Sequence, residues 1–142
     1  MGKPDVLDRI AQLLIALVAV FSLVFGAYML RDPYGWYQLL PTVKFTGPAN
    51  QHFIRDIGLA YMASGAMLGY AAFNPYMRWL AAFAGSLWIA VHGGLHIWEV
   101  VTGVCAPGRF WADVPGVLGP PLLVWVALVI LKARKRGIAP AR

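Results

Sequence analysis

Charge is scarce in this chain. Asp, Glu, Lys and Arg make up 13% of its 142 residues, where a soluble domain carries roughly a quarter. That leaves too little polar surface to face water all round. A single cysteine, Cys105, excludes an intrachain disulfide and leaves the redox compartment unread from pairing. No internal repeat and no low-complexity tract is visible, which disfavours an alternating-access transporter built from paired halves. The length suits one bundle and is too short for two domains.

Apolar residues are what the chain has in abundance, at 60%. Counted against the ~20 residues that span a hydrocarbon core, four stretches stand out, at about residues 10–30, 53–73, 79–101 and 114–131. Breakers separate them: Asp32-Pro33, Gly47-Pro48, Asn74-Pro75 and Pro107-Gly108. Within the fourth stretch Pro115 is tolerable in a first turn, and Pro120-Pro121 predicts a kink or a delayed regular start. The first stretch does not read as a cleaved signal peptide. Its apolar run is too long, its leading segment is neutral, and no small-x-small site follows. The expectation is a single all-α domain over residues 1–142, an integral membrane antiparallel four-helix bundle.

The net charge of +6 does not imply nucleic acid. Five of the twelve Lys and Arg fall in residues 132–142, beside an apolar run, which fits a basic tail held on the cytoplasmic side. With both termini cytoplasmic, eight basic residues lie inside (Lys3, Arg9, Arg78, Lys132, Arg134, Lys135, Arg136, Arg142) and four outside (Arg31, Lys44, Arg55, Arg109). The longest connection, residues 31–51, is then an outer loop. Its aromatics Tyr34, Trp36, Tyr37 and Phe45 suit the headgroup level, part of it as a short helix lying flat. Asn50 is a natural N-cap for the second span.

Ionisable residues inside spans are costly and turn inward. On the third stretch His92, His96 and Glu99 fall within roughly a 60° arc, and Trp88 continues the stripe. On the second, His52 and Asp56 are four apart and share a face, with Arg55 about 100° away. Antiparallel spans would put Asp56 at the depth of His96. All three histidines then belong to one constellation, a candidate site for Zn, Fe or Cu with His92, His96 and Glu99 as primary ligands and His52 and Asp56 completing it. Arg55 would hold a carboxylate or bind an anionic group, and Trp88 would back the ligands. A haem clamped by histidines of facing helices is the runner-up cofactor. A di-iron centre needs more carboxylates than Asp56 and Glu99.

Plainer readings stand beside these. Arg55 with Glu99, and Asp56 with His92 or His96, would make a buried network that fixes helix register and binds nothing. A proton relay or small-ligand pocket without metal is a third reading. Small residues at Gly58, Gly65 and Gly69 are expected to pack helices within the monomer. Cys105 reads as a small hydrophobe or a soft ligand. The cluster at residues 132–136 reads as a topology signal that also attracts anionic lipid.

Four short spans, with Arg55-Asp56 opening the second in His52-Phe53-Ile54-Arg55-Asp56-Ile57-Gly58, resemble the DoxX-like small bacterial membrane proteins. That resemblance implies a four-helix bundle in a bacterial inner membrane, near quinone chemistry. His92-x3-His96-x2-Glu99 has no counterpart in it, so no functional residue is carried over. The leading expectation is a metal-binding membrane protein, an oxidoreductase or a subunit of one. The alternatives are a non-enzymatic membrane subunit or ligand-binding module with a structural His/Asp/Glu/Arg network, and a haem-binding membrane protein. Expected partners are the lipid bilayer, a quinone or another membrane subunit, or further copies of the chain, and not nucleic acid.

Overall fold

The computed structural model describes residues 5–44 and 47–138, and these are helical with no strand among them. Lys3, Phe45 and Arg142 of the expectations above, and residues 139–142 of the basic tail, lie outside the described residues. The elements in order are α1 (Val6–Arg31), α2 (Pro33–Leu39), α3 (Pro41–Lys44), α4 (Gln51–Phe73), α5 (Arg78–Val101), α6 (Arg109–Asp113), a π-helical turn (Val114–Leu118) and α7 (Gly119–Ile138).

Local chemistry sets the boundaries. Asp5 caps α1 by accepting from the Asp8 amide at 3.0 Å. Asp32 ends α1 and starts α2: its carboxylate accepts from the Gly35 amide at 2.8 Å, and Pro33 occupies the first turn. Asn50 caps α4 through the Phe53 amide at 3.1 Å, as its position suggested. Asn74 closes the α4–α5 turn by accepting from the Tyr76 and Met77 amides. Gly103, at φ 76°, lets the chain leave α5.

The fourth long segment departs from a simple span. Pro115, Pro120 and Pro121 have no N–H, so the carbonyls of Trp111, Gly116 and Val117 lose their α-helical donors. The chain answers with a wider turn, in which the Gly119 amide reaches the Val114 carbonyl. The Gly116 carbonyl then has a proline at both the i+4 and the i+5 position, and no intrahelical donor at either.

The four long segments form a ring in which α1 packs on α4 and α7, and α5 packs on α4 and α7. All neighbours are antiparallel. Gly26 meets Gly58 while Gln12 donates to the Ala72 carbonyl. Gly85 lies against Leu68 while Tyr61 meets Trp88. Gly93 lies against Leu118 while Phe83 meets Trp125. Arg134 closes the ring with ion pairs to Asp5, at 2.8 Å, and to Asp8. The core is built from Ile15, Val18, Met29, Leu68, Ile89 and Val124, with small residues where helices cross.

Three helices are long and apolar enough to cross a membrane: Val6–Arg31, Arg78–Val101 and Arg109–Arg134. The expected second span, α4, has the length but a more polar composition. Gln51, His52, Arg55 and Asp56 crowd its first two turns, and Gly58, Ser64, Gly65 and Gly69 follow.

Candidate functional site

α5 is continuous through Gly93 and Gly94, and the 3.6-residue repeat stacks its Trp88, His92 and His96 on one face. The His92 ring lies parallel to Trp88 at 5.0 Å and edge-on to His96 at 4.8 Å. Tyr61 of α4 meets both Trp88, at 4.9 Å, and His92, at 6.2 Å. Phe25 of α1 continues the ring contacts from Tyr61 to Trp36 of α2. An aromatic seam thus joins α1, α2, α4 and α5.

The carboxylate at the end of this seam is Asp113, the last residue of α6. Its Oδ2 lies 2.9 Å from Nδ1 of His96, and the residue is 6% exposed. Neither Glu99 nor Asp56 takes that role. Glu99 is half-buried and accepts from the Cys105 thiol at 3.9 Å. The antiparallel register brings Asp56 level with His96, but Asp56 faces another way. It pairs with His52 at 3.4 Å, and those side chains are 53% and 88% exposed. Arg55 turns to the Leu30 carbonyl at 3.3 Å and not to Glu99.

Of the five proposed ligands, His92 and His96 are therefore in contact, His52 and Asp56 form a separate exposed pair, and Glu99 stands with Cys105. Among the described residues, no three His, Cys, Asp or Glu side chains are placed to hold one metal ion.

A cavity of about 380 Å³ lies beside the His96–Asp113 pair. Phe21, Phe25 and Met29 of α1 and Ile57 and Tyr61 of α4 form its apolar wall. Trp36, Leu40, Thr42 and Val43, from the connection between α1 and α4, form another side. His96, Arg109 and Asp113 bring charge and hydrogen-bonding capacity to it, and Pro115, Gly116 and Val117 of the π turn complete the lining. The Trp36 Nε1–H is buried with no acceptor. Arg109 donates to the Thr42 carbonyl and so ties the segment after α5 to the connection that walls the cavity.

Asp113, Arg109, Tyr61 and Trp36 were not anticipated as site residues. One signal was available: Arg109 and Asp113 stand four apart immediately before a proline-bearing apolar run, and a carboxylate next to so apolar a segment needs a partner. No family model, no curated protein and no solved structure matches this chain.

Proposed function

We propose that this is a small polytopic membrane protein that binds a lipophilic small molecule bearing an oxygen-containing polar group. The four long helices cross a bacterial inner membrane with both termini on the cytoplasmic face. α4 is carried across as a member of the ring, its polar first turns at the outer headgroup level. The observation that carries the reading is an apolar cavity with the His96–Asp113 pair in its lining, the carboxylate buried and the imidazole partly so. Sites for small molecules have this character, a mostly apolar wall with a few convergent polar groups.

In this reading each polar group of the lining has a role. His96 donates its Nδ1–H to the Asp113 carboxylate, which fixes the tautomer and leaves Nε2 as an acceptor for the ligand. Arg109 supplies donors, and the Trp36 N–H is a donor with no acceptor. The apolar body of the ligand lies along Phe21, Phe25 and Met29. A histidine oriented by a carboxylate can also take a proton from a bound hydroxyl or return one to a carbonyl, a transfer that moves no electrons by itself.

A metal centre is the second reading. It draws on the contact between the His92 and His96 rings and on the carboxylate held by His96.

One preparation separates the readings. Detergent-purified protein is extracted with organic solvent for mass spectrometry, while a second portion is taken for elemental analysis and an absorption spectrum. The expected result is one lipophilic molecule at close to one per chain, lost in His96→Leu. Identical extracts from the wild type and from His96→Leu overturn the ligand reading. Stoichiometric Zn, Fe or Cu that is lost in His92→Ala replaces it with the metal centre, and a Soret band replaces it with haem.

A further inference from the structure

A second cavity, of about 290 Å³, lies between α5 and α7 near the end of the bundle that carries Asp5 and Arg134. Its lining is Trp79, Phe83, Trp125, Leu128, Val129 and Lys132. Trp79 and Phe83 stack at 5.5 Å with nearly parallel rings, and Trp125 meets Phe83 edge-on at 5.9 Å. This makes a flat-walled apolar slot with one ammonium group among its lining residues. The Trp79 Nε1–H is buried without an acceptor.

Charge at this end is unbalanced. The acids there among the described residues are Asp5 and Asp8, and Arg134 takes both. Arg78 is engaged with the carbonyls of Ala71 and Ala72. Lys132 is exposed, and no acid pairs with it among the described residues. Lys135 and Arg136 follow it in the sequence. An apolar slot lined by a lysine with no acid partner, ahead of a basic run, complements a molecule with a long hydrocarbon chain and an anionic head.

We infer that this slot binds an anionic phospholipid of the adjacent leaflet, with an acyl chain against Trp79, Phe83 and Trp125 and the phosphate on Lys132. The inference rests on the membrane-spanning reading above and is independent of the ligand at His96. The lysine stem covers apolar surface while its ammonium reaches the headgroup level.

The test is native mass spectrometry of the full chain in a zwitterionic detergent. Phosphatidylglycerol and phosphatidylcholine with the same acyl chains are added in turn. The wild type and Lys132→Arg should retain phosphatidylglycerol about five-fold better than phosphatidylcholine, the size expected for one basic residue at a lipid surface. Lys132→Gln should bring the two lipids to parity, and Val129→Trp, which fills the slot, should lose both. Equal retention by the wild type, an unchanged preference in Lys132→Gln, or equal stabilisation by inorganic phosphate would each overturn the inference. An alkaline carbonate wash of membranes keeps the two failures apart. If the protein stays in the pellet while the lipids bind equally, only the lipid site falls. If the wash releases the protein, the membrane-spanning reading falls and takes this site with it.

Discussion

His96 and Asp113 sit on different elements, one on α5 and the other where α6 meets the π turn, and each holds the other in place. Removing the carboxylate leaves the partly buried His96 N–H without its acceptor. Asp113→Ala is expected to destabilise the protein by roughly 2 kcal/mol, read as a lowered thermal midpoint in detergent. Asp113→Asn keeps an oxygen toward Nδ1 and should lose about half as much, since a hydrogen bond outlasts the charge. Midpoints for both variants at the wild-type value would show that the pair holds nothing. At this scale the sequence was legible in part. The 3.6-residue repeat put His92 and His96 on one face, and their rings touch. Antiparallel counting put Asp56 at the right height, but height does not determine direction, and Asp56 turned out half exposed beside His52. Asp113 escaped because it lies one residue before the apolar run counted as the fourth span.

Helix crossings in this bundle are set by small residues, and their surroundings differ enough to be told apart. A Cβ on Gly26 would stand 2.5 Å from the Gly58 carbonyl oxygen, which is backbone and cannot move aside. A Cβ on Gly69 would meet nothing within 4 Å. Gly26→Ala should therefore cost about 1–3 kcal/mol through overpacking of α1 on α4. Gly69→Ala should be neutral or stabilise by up to about 1 kcal/mol through helix propensity. Thermal unfolding of the two variants side by side checks the contrast, and equal midpoints would contradict it. Gly58 and Gly65 pack against α1 within the same chain, as their spacing suggested, whereas Gly69 makes no such contact. The helix ends were legible where a side chain caps them or closes the turn beyond them, as at Asn50 and Asn74 respectively. The π turn was not. Pro120 and Pro121 announce a disturbance, but whether a chain kinks, unwinds or widens depends on the neighbour, and here Gly93 of α5 packs against Leu118.

In the whole molecule, the Arg134 ion pairs place the start of α1 and the end of α7 at one end of the bundle. Reporter fusions at either end should consequently report the same compartment, and the cytoplasmic one by the excess of basic residues on that side. Reporters that disagree would rule out an even number of crossings. The same closure has a bearing on biogenesis. α5 is made before α6, so His96 emerges while its carboxylate is still unsynthesised. The wall contributed by Pro115, Gly116 and Val117 is missing at that stage too. Until the π turn is made and docked on α5, the nascent chain is an open trough with an imidazole on its inner side, and that later segment supplies the remaining wall.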